Sequence, residues 1–466
     1  MAEDTAVDVA VIGAGPGGYV AALRAAQLGL QAVVIEKEFV GGTCLNVGCI
    51  PSKALLDATH LLMDLHRAEA FGIHASEVRV DFARMQAHKS RVVQTLTRGV
   101  SGLLRRQGVE LIEGTASFAA PGRVEIELAA GGQRMVRAGQ VIIATGSTAA
   151  ALTGVAIDGE RVVSSRDALA FEEIPERLIV IGAGYIGLEL GSVYARLGSR
   201  VVVLEMMDRV LPEMDEEVAA TAARLLTEQG LDIRLGAKVR DIEVEESQAI
   251  VRYEHQGKDR WLTAERVLMA VGRRPYLDGL GLEAVGLEVD ERGFLGVDGS
   301  MRTAVKGVLA IGDVVATPML AHVAMDEGVV AAETIAGQAS VMEYDAIPAV
   351  VYMHPELASV GLKEEEARDK GFSVAVGKFP FRGNGRARAR GEVEGWVKII
   401  ADTETDALLG VHCVGPEAGH LIHEAVVAMG YRGYAEDLAL TVHAHPTLSE
   451  AFKEAALAVA GRSLHI

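Results

Sequence analysis

Hydrophobic positions near the start of the chain form a regular pattern. A short apolar run at residues 9–12 leads into a glycine-rich turn, a helical segment covers residues 19–28, and a second apolar run at residues 32–35 ends on Glu36. Short apolar runs bounded by turn residues favour buried strands, and a longer segment with helical spacing between them favours a helix. The pattern predicts a strand, a turn, a helix and a second strand.

The same unit returns 169 positions later. Residues 178–181 form the first apolar run, the helical segment ends at Gly198, and the second run at residues 201–204 ends on Glu205. In both units the glutamate stands 23 residues after the first glycine of the turn. Two such units predict an α/β fold with two Rossmann-like dinucleotide-binding domains.

Each turn has the spacing G-x-G-x-x-G. One such string is weak evidence, because glycines at this spacing also mark ordinary turns, but two complete units are strong evidence. Glycines let backbone N–H groups approach a pyrophosphate at a helix N-terminus, where the helix dipole favours negative charge. We therefore expect two bound dinucleotides, with Glu36 and Glu205 placed to bind ribose hydroxyls. The turn glycines are Gly13, Gly15 and Gly18 in the first unit and Gly182, Gly184 and Gly187 in the second.

The second turn also predicts which nicotinamide dinucleotide binds. Glu205 would repel a 2′-phosphate, and Met206 and Met207 follow it where an NADP site would place arginines. NAD is therefore expected, although Arg209 lies nearby and would weaken the preference.

Composition narrows the class of protein. The 466 residues suggest about three domains, and half of them are apolar, which allows sizeable cores. A formal net charge of −19 argues against binding to nucleic acid or to an anionic membrane surface, since both require clustered Lys and Arg. No leader pattern precedes the first strand and no apolar stretch is long enough to span a membrane, so a cytoplasmic location is expected.

Two of the three cysteines, Cys44 and Cys49, lie in a glycine-rich loop soon after the first dinucleotide turn. If the segment after Thr43 is helical, they lie about one turn apart, close enough for a disulfide. The alternative is two small buried residues that are neighbours by chance. Three cysteines do not make a structural disulfide framework, so redox catalysis accounts better for the pair. Cys413 lies in an apolar run that predicts a buried strand.

The end of the chain offers an acid–base pair. His445 precedes a turn and a predicted helix from Leu448, and Glu450 falls in the first turn of that helix, where it can reach the imidazole. The alternative is a histidine beside a glutamate that serves the helix dipole, and the residues alone favour this alternative. His412, His420 and His423 with Glu424 predict a satisfied helix surface rather than a metal site, and the basic run at residues 382–390 predicts a loop.

These motifs together resemble the pyridine nucleotide-disulfide oxidoreductases over essentially the whole chain. The similarity rests on residues 41–53, 144–146, 270–273, 311–313 and 443–450. It implies FAD at the first turn and NAD at the second. The cofactor-binding residues that it implies are Gly13, Gly15, Gly18, Glu36, Lys53, Gly114, Thr145, Gly146, Asp313, Met319, Ala321 and His322 for FAD, and Gly182, Gly184, Gly187, Glu189, Glu205 and Gly272 for NAD.

The resemblance also implies catalytic roles. Cys44 is the sulfur that a substrate thiolate attacks, Cys49 is the sulfur nearer the flavin, and His445, oriented by Glu450, is the base. Lys53 and Glu189 are expected together beside the flavin, although from the sequence alone either is equally an exposed helix charge. Asp313 is expected near the ribityl and phosphate portion of FAD; without the resemblance, a turn aspartate is an equal alternative.

The expected reaction is oxidation of protein-bound dihydrolipoamide to lipoamide with reduction of NAD⁺. The resemblance implies a homodimer, because base and disulfide meet across a twofold axis, and partners that carry the lipoyl group: the acyltransferase of a 2-oxo acid dehydrogenase complex or the carrier protein of glycine cleavage. The expected domains are an FAD-binding domain at 1–147, an NAD-binding domain at 148–271, a central segment completing the FAD domain at 272–342, and a C-terminal α+β dimerisation domain at 343–466.

Three alternatives remain behind this prediction. A glutathione-reducing member of the family would have arginines after residues 203–204, and a mercury-reducing member would have a C-terminal cysteine pair. A non-catalytic NAD-binding subunit would leave the cysteines and the His445–Glu450 pair without use. Tyr185 in the second turn is unusual for the dihydrolipoamide branch, and we hypothesise that it shields the flavin until the nicotinamide arrives; helix packing is the equal alternative.

Overall fold

The computed structural model describes residues 4–465. The strands within this range are β1 Asp4–Ile12, β2 Ala32–Glu36, β3 Glu110–Ala120, β4 Arg123–Leu128, β5 Gln133–Ile143, β6 Ser147–Ala149, β7 Val162–Val163, β8 Arg177–Ile181, β9 Arg200–Leu204, β10 Asp232–Arg234, β11 Ala237–Val244, β12 Ala249–His255, β13 Lys258–Ala264, β14 Arg266–Met269, β15 Arg273–Pro275, β16 Val308–Ala310, β17 Ala349–Val351, β18 Glu356–Gly361, β19 Val374–Pro380, β20 Trp396–Asp402 and β21 Leu408–Gly415.

The helices in the same range are α1 Pro16–Gln27, α2 Gly42–Val47, α3 Cys49–Arg67, α4 Phe82–Arg106, α5 Ser165–Ala168, α6 Tyr185–Arg196, α7 Glu216–Glu228, α8 Ala321–Ile335, α9 Glu364–Asp369, α10 Gly385–Arg390, α11 Ala418–Gly430, α12 Ala435–Leu440 and α13 Glu450–Val459. Single 3₁₀ turns occur at Ala68–Phe71, Leu282–Val285, Gly312–Val314 and Phe381–Gly383.

The chain divides into two compact units, the first made of residues up to Leu55 with Asp81–Ala150 and Gly272–Met342. Its sheet pairs β3, β2, β1, β5 and β16 in parallel, and the outer halves of β3 and β5 pair with β4 as an antiparallel extension. Alternate residues of β1 serve opposite faces: Val9 and Val11 join the core under α1, whereas Ala10 and Ile12 join the core of the antiparallel extension.

The second unit contains Leu56–Val80, Ala151–Val271 and the chain from Glu343 onward. It holds the second dinucleotide turn in a parallel sheet of order β10-β9-β8-β14-β7, beside the antiparallel sheet β11-β12-β13. Both predicted strand–turn–helix–strand units are therefore present, with α1 starting at Pro16 rather than at residue 19.

A third, antiparallel sheet of order β17-β18-β21-β20-β19 completes the second unit, and α11 and α13 pack on it. Cys413 is fully buried in β21, as predicted. His412 is also fully buried in β21, so its prediction as part of a helix surface is wrong; its ring nitrogens lie 2.9 Å from Ser359 Oγ and 3.1 Å from the Leu362 carbonyl oxygen.

The basic run at residues 382–390 is also not a loop. Asn384 caps α10 by accepting a hydrogen bond from the Ala387 N–H at 3.0 Å, and its side-chain amide donates to the Thr447 carbonyl at 2.9 Å. The cap explains why this arginine-rich segment becomes helical. Within residues 4–465 no helix combines the length and the apolar character that crossing a membrane requires.

A buried ion cluster lies where the N-terminus of α7 meets the five-stranded antiparallel sheet β17-β18-β21-β20-β19. The Lys398 side chain is 2% exposed, and its Nζ lies 2.8 Å from Glu364 Oε2 and 3.1 Å from Asp215 Oδ2. Burial alone would lower the pKa of Lys398, but the hydrogen bonds and charges of Glu364 and Asp215 outweigh it and raise the pKa above its usual value. The lysine is therefore fully charged and fully paired.

Replacing Lys398 by methionine is expected to destabilise the protein by about 3 kcal/mol, because Asp215 stays buried without its counter-charge. Urea unfolding of the FAD-loaded protein, followed by tryptophan fluorescence, measures the loss. Lys378→Met is the matched control, since Lys378 faces Lys398 across the β19–β20 ladder but its side chain is 39% exposed. The control is expected to cost no more than about 1 kcal/mol. Equal losses of unfolding free energy in the two variants would contradict a stabilising role for the buried ion pairs of Lys398.

Candidate active site

The three glycines of the first turn have different steric surroundings. A Cβ on Gly13 would lie 2.3 Å from the Ala144 carbonyl oxygen, and one on Gly18 would lie 1.9 Å from the Gly13 carbonyl oxygen. Both positions are thus closed by neighbouring backbone. A Cβ on Gly15 would meet nothing within 4 Å, so this glycine leaves open space at the N-terminus of α1.

The second turn repeats this geometry. A Cβ on Gly182 would lie 2.3 Å from the Ala270 carbonyl oxygen, one on Gly187 would lie 2.2 Å from the Gly182 carbonyl oxygen, and one on Gly184 would again face open space. Close packing at the first and third glycines and an open middle glycine are what a pyrophosphate at a helix N-terminus requires. The residues present therefore fit a dinucleotide at each turn.

The two strand-end glutamates bind the turns themselves. Glu36 Oε2 accepts a hydrogen bond from the Ala14 N–H at 2.7 Å, and Glu205 Oε2 accepts one from the Ala183 N–H at 2.7 Å. Carboxylate oxygens have further acceptor capacity, so each glutamate can hold its turn and still receive a ribose hydroxyl. Arg209 lies 3.7 Å from Glu365, so its charge has a partner other than a 2′-phosphate.

The cysteine loop is not one continuous helix. Cys44 lies in α2, Cys49 begins α3, and Gly48 separates the two helices. A Cβ on Gly48 would lie 2.9 Å from the Thr43 carbonyl oxygen, so only glycine lets the chain turn this tightly between the cysteines. The helical link assumed from the sequence is wrong, but the two sulfurs still meet.

Both cysteines are thiols here, and they are hydrogen-bonded to each other. The hydrogen bond with Cys49, and then burial, raise the pKa of the Cys44 thiol far above its usual value. The positive charge of Lys53 acts in the opposite direction. Two neighbouring thiols close to a lysine are consistent with a dithiol that exchanges with a disulfide.

Backbone contacts hold this loop against the first dinucleotide turn. The Gly41 N–H donates to the Ala14 carbonyl oxygen at 2.8 Å, and a Cβ on Gly42 would lie 2.6 Å from the Gly15 Cα. Asn46 fixes the loop from within, because its amide donates to the Val40 carbonyl oxygen at 2.9 Å. The cysteines are thus positioned next to the pyrophosphate cradle.

Asp313 lies in the 3₁₀ turn after β16, at the carboxyl end of the first sheet. The Ser147 hydroxyl donates a hydrogen bond to Asp313 Oδ2, and Arg273 Nε donates to Ser147 Oγ at 2.7 Å. The Thr145 hydroxyl donates to the Tyr276 carbonyl oxygen at 2.6 Å. The motifs around Gly146 and Gly272 therefore join as the ribbon β6–β15 beside Asp313.

Glu327 is a residue that the sequence analysis missed. It is fully buried on α8, where its two oxygens accept hydrogen bonds from the Gly312 N–H at 2.6 Å and from the Thr317 hydroxyl at 2.8 Å. It thereby fixes the backbone beside Asp313. An acid among the apolar positions of a buried helix was the available signal. Ala321 and His322 begin α8 and Met319 lies just before it; their contact with a flavin stays a prediction.

The other predicted residues fall on defined elements. Gly114 lies in β3, where a Cβ would approach the Glu127 carbonyl oxygen to 2.5 Å. Glu189 is buried in α6, and its Oε1 accepts a hydrogen bond from the Tyr352 N–H at 2.9 Å. Tyr185 begins α6 and is 40% exposed.

His445 and Glu450 form the predicted pair. His445 Nδ1 lies 2.9 Å from Glu450 Oε1, and the Thr447 N–H donates to Glu450 Oε2 at 2.8 Å. Burial would raise the pKa of Glu450, but the hydrogen bonds from Thr447 and His445 outweigh it and lower the pKa. The carboxylate stays charged and orients an imidazole whose side chain is 77% exposed.

His443 has its own partner. Its Nε2 lies 2.6 Å from Glu424 Oε1 and its Nδ1 lies 3.0 Å from the Thr441 carbonyl oxygen. Glu424 is therefore not simply part of a helix surface. Because both ring nitrogens are engaged and the side chain is 5% exposed, His443 is a poorer candidate for a base than His445.

Each unit thus assembles one part of the predicted site. The first unit brings together the first turn, Glu36, the two cysteines, Lys53 and Asp313. The second unit carries the second turn, Glu189, Glu205 and the His445–Glu450 pair.

Comparison with known proteins gives the chain its relatives. It is 47% identical to dihydrolipoyl dehydrogenase 1, mitochondrial, of Arabidopsis thaliana over 98% of this chain and 91% of that protein. It is 48% identical to dihydrolipoyl dehydrogenase of Thermus scotoductus over 98% of each chain. The crystal structure of LpdA from Mycobacterium tuberculosis matches with a TM-score of 0.90 at 29% identity, over 97% of this chain and 99% of that chain.

Family models match most of the chain. Residues 7–328 match the pyridine nucleotide-disulphide oxidoreductase model, and residues 347–456 match the dimerisation domain of the same family. These matches confirm the predicted α/β fold class, the enzyme class of NAD-dependent oxidoreductase and the use of FAD and NAD, and they show that the chain carries a dimerisation domain. The chain belongs to the pyridine nucleotide-disulphide oxidoreductases.

Proposed function

We propose that this chain is a dihydrolipoyl dehydrogenase that oxidises a dihydrolipoyl group with NAD⁺ through the Cys44–Cys49 pair. One observation carries the assignment: the two hydrogen-bonded sulfurs lie beside Lys53 in a loop bound directly to the first dinucleotide turn. A thiol pair at this position connects dithiol chemistry to a dinucleotide. The relatives from Arabidopsis thaliana and Thermus scotoductus, which share nearly the full length, carry this activity in their names.

The chain's own residues perform the thiol chemistry. In the oxidised enzyme, His445 accepts a proton from one substrate thiol, and the resulting thiolate attacks the Cys44 sulfur of the disulfide. A mixed disulfide forms and Cys49 leaves as a thiolate, beside the positive charge of Lys53. The second substrate thiol then attacks the substrate sulfur of the mixed disulfide. The substrate's S–S bond forms, the bond to Cys44 breaks, and the proton of the attacking thiol passes to the Cys44 sulfur.

When bound, the two dinucleotides would supply the onward transfer of the electron pair from the reduced cysteines through FAD to NAD⁺. The first turn, Glu36, Gly114, Asp313 and the N-terminus of α8 would hold FAD. The second turn and Glu205 would hold NAD.

The proposal includes the assembly that the resemblance implies. The enzyme is a homodimer in which His445 of one subunit serves Cys44 of the other, and the lipoyl group arrives on an acyltransferase or on a glycine cleavage carrier protein. We propose the cytoplasm as the location.

We also propose a division into four parts with boundaries after residues 147, 271 and 342. The compact units of the structure divide after Ala150, Val271 and Met342, and they assign Leu56–Val80 to the second unit.

NADH formation by the purified, FAD-containing protein tests the proposal directly. Dihydrolipoamide with NAD⁺ is expected to give rapid NADH formation, and NADP⁺ is expected to have a kcat/KM about 100-fold lower because Glu205 repels the 2′-phosphate. Reduced glutathione, a monothiol that cannot close a cyclic disulfide, serves as the control and should give no turnover. A protein that carries FAD and still forms no NADH from dihydrolipoamide would contradict the proposal.

A further inference from the structure

Three side chains of the kinds that bind metal ions meet in the second unit, and none of the three is used in the proposed reaction. His60 lies on α3, His354 follows β17 and Glu392 follows α10, and one ligand atom from each lies within 4.8 Å of the other two. All three are half-buried. Donors from three separate segments at this spacing can bind one ion.

The two imidazole rings lie side by side. Their ring centroids lie 4.3 Å apart with the planes at 82°. One ligand atom of each ring lies within 4.8 Å of the other and of a Glu392 carboxylate oxygen, and imidazole nitrogens are the commonest metal ligands in proteins.

A second contact orients His60. Asp64 Oδ2 lies 3.5 Å from His60 Nε2, one helical turn along α3. Metal-binding histidines commonly have a carboxylate at the other ring nitrogen, which orients the ring. At His354 the neighbour is a competitor: Arg67 Nη1 lies 3.4 Å from His354 Nε2, so an ion at that nitrogen would displace the guanidinium, whose Nη2 donates to the Gly391 carbonyl oxygen at 2.9 Å.

The surrounding charges are largely balanced. Arg67 lies 3.8 Å from Asp64, and Arg390 pairs with Glu417 and lies 2.7 Å from Glu392 Oε2. These guanidinium groups are engaged by acids, but Glu392 is one of those acids, so an ion bound to Glu392 would compete with Arg390 for the carboxylate. Arg196 adds an unbalanced positive charge, since its Nε and Nη2 are buried without a hydrogen-bond partner among the described residues. The positive charge of Arg196 therefore repels a cation bound at the cluster and lowers its affinity.

We propose that His60, His354 and Glu392 form a binding site for a divalent transition-metal ion such as Zn²⁺. Two imidazoles and one carboxylate are a common donor set for zinc, and water completes the coordination. The ion would tie α3 to the segments around His354 and Glu392, so zinc should raise the thermal midpoint as well as bind.

The test uses the FAD-containing protein with Cys44→Ser and Cys49→Ser, because the reduced cysteine pair is itself a zinc ligand. Isothermal titration calorimetry with Zn²⁺ measures stoichiometry and affinity, and thermal unfolding with and without Zn²⁺ measures the stabilisation. One zinc ion per chain is expected. His60→Gln and Glu392→Gln should each weaken binding at least about tenfold.

Two further variants distinguish zinc binding at this cluster from zinc binding elsewhere on the protein and from anion binding at the cluster. His66→Gln removes an exposed histidine on the same helix and should leave zinc affinity unchanged. Arg196→Gln removes the opposing charge and should strengthen binding, whereas a site for anions would lose affinity for them. Absence of one-to-one zinc binding, or binding that survives both His60→Gln and Glu392→Gln, overturns the proposal.

Discussion

Replacing Cys44 by serine is expected to lower turnover of dihydrolipoamide with NAD⁺ by at least about 10³-fold. The hydroxyl cannot form the mixed disulfide, so electrons have no covalent path from the substrate to the dinucleotide. FAD content should not change, because serine preserves the shape of α2 and the contacts of Gly41 and Gly42 with the first turn. Steady-state NADH formation measures the loss.

Two controls show that the loss concerns the thiol chemistry alone. Oxidation of NADH by an artificial electron acceptor bypasses the cysteines and should continue in Cys44→Ser. Cys413→Ala should leave both activities near their original values, because Cys413 is fully buried and burial raises the pKa of its thiol far above the reactive range. Turnover of Cys44→Ser within tenfold of the parent would contradict the assigned nucleophile.

Local sequence patterns were enough to predict the two dinucleotide turns. Each turn is a contiguous string in which Gly18 or Gly187 packs on the first glycine of its own turn, and each glutamate closes the same unit from the next strand. The information needed lies within about thirty residues, so periodicity and glycine spacing carry it. His445 and Glu450 are likewise five positions apart.

Contacts that depend on how separate elements pack were not predictable in this way. Glu327 binds the backbone of Gly312, and Lys398 finds Asp215 at a separation of 183 positions. Nothing in a helix pattern indicates which side chain a buried charge will meet, because that depends on how whole sheets pack. The same reason explains why His412 was assigned to a surface and why the pairing of His443 with Glu424 was missed.

Gly48 shows a third kind of failure. The spacing of Cys44 and Cys49 suited one helical turn, and the sequence offered no reason to divide the helix. Glycine is required at position 48 because a Cβ there would collide with the Thr43 carbonyl oxygen. The helix propensity of a single residue contains no information about such a contact. The sulfurs meet because the chain turns between two helices.

Removing the base is expected to have the second largest effect. His445→Gln should lower kcat/KM for dihydrolipoamide by about 10²–10⁴-fold, because thiolate formation loses its proton acceptor. Glu450→Gln should cost less, because it removes only the carboxylate that orients the imidazole. Burial would raise the pKa of Glu450, but its hydrogen bonds lower it, so this carboxylate keeps its charge as the pH falls through the ordinary glutamate range. His443→Gln is the matched control and should leave kcat/KM near the parent value.

Mixed dimers then test where the base comes from. Cys44→Ser and His445→Gln homodimers are each inactive at both sites. If the base serves the cysteines of the other subunit, a mixed dimer has one site with both groups intact, and random co-assembly in equal amounts should restore about a quarter of the parent activity. If both groups of a site belong to one subunit, every site lacks one group and no activity returns. Co-expression of the two variants with different affinity tags allows the mixed dimer to be purified. Half of the parent activity per dimer is expected for it. That value would establish that the dimerisation domain completes the active site.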